Sequence, residues 1–208
     1  DQIRQIKPTY HVLAPQHPPF NFYDSSKYFD DFSIAYKNID VDYFLGVNYY
    51  EYSYINLLKE KQQYNHSRIH YLNYEKPIVL DENNYMNDNV WDISKNNIFS
   101  MRTVVYGAIQ VAIYMGFSRI YLLGCDHDYL NDISRTSNHH FYKEEKGISD
   151  IQHLSEFTRE RWFLEYYMRW KQYRLMKEYA ETKNIEIINA TAGGMLDVFK
   201  RVKLENII

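Results

Sequence analysis

The chain alternates short apolar runs with longer segments in which apolar residues recur every three or four positions, a pattern that predicts strands and helices in turn. "TYHVLA" (9–14) reads as a buried strand, stopped by Pro15 and the proline-stiffened "HPPF" at 17–20. "DSSKYFDDFSIAYKNI" predicts a helix capped by Ser25 or Ser26, with Tyr28, Phe32 and Ala35 on one face. "DYFLGV" (42–47) is a second strand and "RIHYL" (68–72) a third. Between them "YSYINLLKEK" (52–61) has helical spacing at Tyr54, Ile55 and Leu58. Residues 81–97, dense in asparagine and acids, predict a surface excursion without a core. Ser100 is expected to cap a helix running to about Met115, with Val104, Ala108, Val111 and Met115 on one side and Gly116 closing it.

The apolar run inside "GFSRIYLLGCDHDYL" (116–130) predicts a central strand that ends abruptly in polar residues. From Asp126 to about Gln152 there is neither helical nor strand period, and an aperiodic stretch of that length predicts a functional loop, here read as a lid. Trp162, Tyr166, Trp170, Tyr173 and Met176 then form the core stripe of a long helix from about Ser155 to Glu181. "IEIINA" (185–190) is the last strand, and "TAGG" (191–194) breaks the chain after it. Strand, helix and strand joined this tightly predict parallel crossovers, hence an α/β fold. The first, central and last strands are expected side by side, with their polar tips on one cleft. At 208 residues the chain is expected to form a single domain.

Composition narrows the partners. A formal net charge of -3 and a pI near 6.3 argue against a nucleic-acid or polyanion binder, whose affinity needs clustered Lys and Arg. The 22 tyrosines, 11 phenylalanines and 3 tryptophans chiefly build packing and do not by themselves mark a sugar binder. One cysteine, Cys125, excludes a disulfide framework and points to a reducing compartment, with cytoplasmic localisation expected. No run approaches the roughly 18 apolar residues of a membrane span, which leaves peripheral membrane association compatible with the chain. "DQIRQIKPTYH" lacks the apolar core of a signal peptide. The start at Asp1, almost directly before a strand, predicts an upstream segment.

Candidate chemistry gathers at strand ends. Asp126, His127, Asp128 and Tyr129 follow the central strand, where carboxylates can hold a ribose, a metal or a reacting hydroxyl. A histidine between two acids is expected to favour its cationic form. His139 and His140, beside Tyr142 and Lys143 in the long loop, are candidates for a base or a phosphate contact. Zinc is not expected there, because no HExxH or CxxC spacing accompanies them. Gln16 and His17 follow the first strand and are expected to face the same cleft. Arg102 and Thr103 open a helix, whose N-terminus favours anions. "NATAGG" (189–194) offers backbone N–H groups, although it matches neither a P-loop nor a dinucleotide fingerprint. With no GxSxG, Walker or kinase motif, hydrolase and ATPase readings lose support.

The segment "SMRTVVYGAIQVAIYMGFSRIYLLGCDHDYL" resembles the central helix and strand of the bacterial sialyltransferases of glycosyltransferase family 42. It is equally similar to the motility-associated, MptE-like group of surface-polysaccharide proteins. "IKPTYHVLAPQHPPF" and "INATAGGMLDVFKRV" are similar to the opening and closing segments of that second group. The resemblance implies a Rossmann-like, mostly parallel sheet with helices on both faces and a lid over 126–152. It also implies transfer of a sugar from a nucleotide donor, CMP-linked, onto a surface polysaccharide or lipopolysaccharide acceptor, inverting and independent of metal, with no cofactor beyond the donor. His139 or His140 would be the base, Asp126 a further catalytic group, and Tyr129 and Tyr142 the donor-phosphate contacts. Gln16, His17, Arg102, Thr103, His127 and Asp128 would line the donor site. The family's glycine-asparagine-glycine-proline-serine loop has no counterpart in these residues, in keeping with the expected upstream segment. The family's base also lies at the start of the helix that precedes the last strand, where this chain reads "RERWFLEYYMRW" and has no histidine. Two rivals remain: a diphosphokinase that uses ATP and magnesium, held by Asp126 and Asp128, and a non-catalytic glycan-binding module.

Overall fold

The computed structural model describes residues 8–17, 26–27, 30, 40–60, 68–128 and 158–207. The helix expected from Ser25 or Ser26 onward therefore lies largely outside the described residues. So does the proposed lid from 129 on, with Tyr129, His139, His140 and Tyr142. The chain forms two compact units, one from the described residues of Asp1–Val79 and Asp88–Val111, the other from those of Leu80–Asn87 and Ala112–Ile208.

In the first unit, β1 (Tyr10–Leu13), β2 (Asp42–Val47) and β3 (Ile69–Asn73) form a wholly parallel sheet in the order β1-β2-β3. The middle strand is buried from Phe44 to Val47, as a strand paired on both sides must be. Leu45 and Val47 pack with Leu13, Val41 and the Tyr54, Leu57 and Leu58 stripe of α1 (Tyr54–Glu60). Phe44 joins a second cluster with Leu72, Tyr74, Ile98 and Val111. Gly46 is dictated by Pro15: a Cβ there would stand 2.5 Å from the proline Cδ, so only glycine lets the chain leaving β1 cross so close to β2.

The polar excursion at 81–97 differs from its expected form. Within it α2 (Asp88–Trp91) buries Trp91, whose ring meets Phe99 edge-on at 4.7 Å. One large aromatic anchors a segment that composition alone marks as coreless. The next helix, α3 (Val104–Tyr114), begins later than expected. Ser100 is not its cap: the helix starts at Val104, where the Thr103 hydroxyl accepts from Val105 N–H, and Ser100 instead lies beside a parallel bridge between Ile78 and Phe99, its N–H donated to Ile78 O. Gln110, fully buried on α3, accepts from Phe99 N–H through Oε1 and donates to Asn97 O through Nε2.

In the second unit, β4 (Arg119–Leu122), β5 (Glu186–Asn189) and β6 (Lys200–Arg201) make another all-parallel sheet in the order β4-β5-β6. The central and last of the expected strands are thus neighbours, whereas the first pairs in the other sheet. The single sheet of the sequence reading is replaced by two three-stranded ones, because backbone pairing is decided by partners distant in sequence. Between β4 and β5 runs α4 (Arg159–Thr182), N-capped by the Thr158 hydroxyl, which accepts from Arg161 N–H. Tyr166, Tyr173, Leu175, Met176, Tyr179 and Ala180 are its buried side. Trp162 and Trp170, expected in that stripe, are only half-buried. Gln172 is wholly buried and takes both the N–H and the C=O of Leu80, while Lys171 and Arg174 pair with Glu82. Among the described residues no helix is long and apolar enough to cross a membrane.

Candidate functional site

Each unit carries polar residues at the carboxyl ends of its strands. In the first, the chain leaves β1 through Ala14 and Pro15 to Gln16, only 8% exposed, and exposed His17. Asn48, just past β2, ties the two strand tips together. Its Nδ2 donates to Gln16 O at 2.6 Å, and its Oδ1 accepts from Tyr50 N–H at 3.2 Å. Tyr50 stacks on Tyr52 at 5.2 Å with the rings 5° from parallel, and the His17 ring meets it edge-on at 6.2 Å. The Tyr49 hydroxyl donates to that of Tyr50 at 3.1 Å. Among the described residues three buried atoms here have no hydrogen-bond partner: Gln16 Oε1, Tyr52 OH and Ser53 Oγ. Burial, and then Tyr49, raise the Tyr52 phenol above its ordinary value, and burial lowers His17, so both are neutral at pH 7.

Arg102 and Thr103 lie before α3. Thr103 is occupied by the helix end, its hydroxyl accepting from Val105 N–H and its carbonyl from Tyr106 N–H. Arg102 is half-buried beside it.

In the second unit the tip of β4 is knitted to the loop after β5. Asp126 O accepts from Met195 N–H at 2.6 Å and Leu196 N–H at 3.3 Å, and Cys125 N–H donates to the Thr191 hydroxyl at 3.0 Å. Gly194 presses so closely that a Cβ would stand 2.5 Å from Asp126 Cα. In this loop Thr191 N–H donates to Asn189 Oδ1 and Met195 and Leu196 N–H to Asp126 O, while the carbonyls of Thr191, Gly193 and Leu196 accept from the Arg201 guanidinium. Cys125 is buried, and burial followed by Asp126 pushes its thiol up to about 11, leaving it protonated.

Asp126 is exposed, and its Oδ1 accepts from the next backbone N–H at 2.7 Å. His127, with a left-handed φ of 54°, turns inward and is 5% exposed. Its Nε2 lies 2.8 Å from the Tyr173 hydroxyl, with the Tyr173 and Trp170 rings at 5.4 and 5.9 Å. Trp170 Nε1 in turn donates to Asp197 Oδ1 at 2.8 Å. The expected cation is overturned: burial first, then the Arg169 charge, lower His127 to about 4, and Asp126 does not compensate. At pH 7 the ring is neutral and hydrogen-bonded, neither a phosphate-neutralising charge nor solvated. Asp128, half-buried, follows it.

Gln16 and His17 thus gather with Asn48, Tyr50, Tyr52 and Ser53, while Asp126, His127 and Asp128 form the tip of β4. The sequence reading passed over Asn48, Tyr50, Tyr52 and Ser53, although the run "NYYEYS" directly after a strand was the available signal. It also took Trp170 and Tyr173 as plain core, whereas their polar atoms serve Asp197 and His127. Among the described residues no group of three or more His, Cys, Asp and Glu side chains is arranged to hold a metal ion. Compared with family models, curated proteins and solved structures, the chain matches none.

Proposed function

We propose that this chain is a glycosyltransferase that moves a sugar from a nucleotide-linked donor to a glycan acceptor of surface-polysaccharide synthesis. The observation that supports the reading is the position of Gln16 and His17 after β1 and of Asp126 to Asp128 after β4. Both sets follow the carboxyl ends of parallel strands, where α/β sheets bind their ligands. The same proposal includes a Rossmann-like strand arrangement and a lid from 126 to 152. His139 or His140 removes the acceptor hydroxyl proton as that oxygen bonds to the anomeric carbon. The bond from the anomeric carbon to the donor phosphate breaks through an oxocarbenium-like state, and the nucleotide leaves as an anion steadied by Tyr129 and Tyr142. The acceptor attacks opposite the departing phosphate, so configuration inverts, and no metal takes part.

A non-catalytic glycan-binding module is the second reading, favoured by the tyrosine-rich, uncharged cluster of Gln16, Asn48, Tyr50, Tyr52 and Ser53. Thermal-shift measurement with CMP, CDP, UDP, GDP and ATP, each with and without magnesium, separates these readings. Stabilisation by CMP without metal supports transfer. Silence throughout supports the binding module, and a strict need for ATP with magnesium moves the assignment to diphosphoryl transfer. His139→Ala or His140→Ala is expected to lower turnover far more than nucleotide binding. Full activity in both variants removes the base assignment.

A further inference from the structure

The polar atoms left unsatisfied past the ends of β1 and β2 are costly unless something meets them. A buried hydroxyl or amide oxygen without a partner costs about 1–3 kcal/mol, and among the described residues Gln16 (8% exposed), Tyr52 (9%) and Ser53 (5%) each carry one at this end of the sheet. They are linked through Asn48, which bonds to Gln16 O and Tyr50 N–H, and through the Tyr50–Tyr52 stack and the Ser53 N–H, which donates to Tyr50 O. Native proteins leave few such groups, and those that persist point to a missing water or ligand.

We propose that the carboxyl ends of β1 and β2 form a subsite for a neutral, hydroxyl-rich ring, a monosaccharide unit, with Gln16 Oε1, Tyr52 OH and Ser53 Oγ as its polar contacts. The chemistry selects this class. The carboxamide oxygen only accepts, so it needs a donor; the two hydroxyls both donate and accept, as vicinal sugar hydroxyls do in return. Among the described residues that build the cluster no side chain is charged, and His17, lowered from its ordinary value by partial desolvation, is neutral at pH 7, so none of them balances a phosphate. Glu51, the nearest acid along the chain, is exposed. The rim is aromatic: Tyr49 is 72% exposed, Tyr50 is half-buried, and His17 is edge-on to Tyr50. Rings of this kind cover the C–H face of a sugar while the polar atoms take its hydroxyls. Because these atoms are buried, binding requires the side chains over them to shift, Tyr50 stacked on Tyr52 among them. The subsite stands on these atoms alone and serves a transferase or a binding module equally.

The test uses calorimetry and saturation-transfer NMR on the 208-residue chain with glucose, galactose, N-acetylglucosamine, cytidine and inorganic phosphate. At least one neutral sugar is expected to bind, with phosphate silent. Tyr52→Phe and Gln16→Met are each expected to weaken that sugar about tenfold, the loss of one or two hydrogen bonds. Both variants should keep the far-UV spectrum and a melting temperature equal to or above the parent's, since each removes a buried polar atom that has no protein partner. The proposal is overturned if no sugar binds, if cytidine binds in preference, or if both variants bind sugar as the parent does. A melting temperature lowered by both substitutions also overturns it, by revealing a structural role for the two groups. Nucleotide stabilisation of the whole chain is read separately, so loss of this subsite and loss of the transferase reading are distinct results.

Discussion

The imidazole Nε2 of His127 lies 2.8 Å from the hydroxyl of Tyr173, and both residues are buried. Burial first, and then the Arg169 charge, make this histidine between two acids a neutral core group, hydrogen-bonded to Tyr173. Its position just past β4, with a left-handed φ of 54°, makes it the point where the strand tip is locked onto α4.

Acid should loosen that lock. In the unfolded chain His127 titrates near 6.5 and in the folded chain near 4, so between those values the unfolded state binds more protons. Stability is retained above pH 6.5 and lost as pH falls toward 4, by on the order of 3 kcal/mol at the limit. His11, lowered to about 4 by burial, adds to the slope in the same direction. Calorimetric melting between pH 5 and 7 should show the decline, and His127→Asn, which tolerates the left-handed backbone, should show a shallower one. An unchanged slope in the variant would mean that the folded ring is not held neutral.

Tyr173→Phe keeps the ring that meets Phe199 edge-on at 5.5 Å and removes only the hydroxyl. His127 Nε2 then loses its partner inside the core. A loss of about 1–2 kcal/mol is expected in urea unfolding, together with a changed imidazole ¹⁵N shift. A variant as stable as the parent would show that the 2.8 Å contact contributes nothing.

Two glycines separate backbone strain from collision. Gly116 and Gly194 share a φ of 84°, but a Cβ on Gly116 meets nothing within 4 Å, whereas one on Gly194 stands 2.5 Å from Asp126 Cα. Gly116→Ala is expected to cost about 1 kcal/mol from the left-handed conformation alone. Gly194→Ala should cost at least ~2 kcal/mol more, since the obstacle is backbone and cannot swing aside. Equal melting temperatures for the two variants would contradict the packing of the 191–196 loop against the β4 tip.

Gln172 takes both backbone groups of Leu80, its Nε2 reaching Leu80 O at 2.7 Å and its Oε1 accepting from Leu80 N–H at 3.4 Å. Gln172→Leu fills a similar volume and leaves those groups unmet. A loss of about 2 kcal/mol is expected, with faster amide exchange at residue 80. Slow exchange retained there would show that Leu80 is held by other contacts.

Much of the local architecture was legible in the residues. β2 was read at its observed limits, and α1, β3 and β5 within two residues of theirs, because alternation and three-to-four spacing report which side of an element is dry. Where those periods were interrupted by long-range pairing, the reading slipped. Ser100 looks like a helix cap until the Ile78–Phe99 bridge extends the chain there and the helix starts only at Val104, and Trp91 is a lone aromatic in a polar stretch until Phe99 meets it.

The candidate site divides in the same way. By itself the sequence determined that polar residues follow apolar strands at Gln16 and at Asp126, since a strand's end is written in its own residues. Only the tertiary structure decided which strands share a sheet, that Asn48 and Tyr50 join Gln16, and that His127 is neutral beside Tyr173. Pairing, burial and the charge of an imidazole depend on groups brought together from distant parts of the chain, and a local pattern carries no record of that meeting.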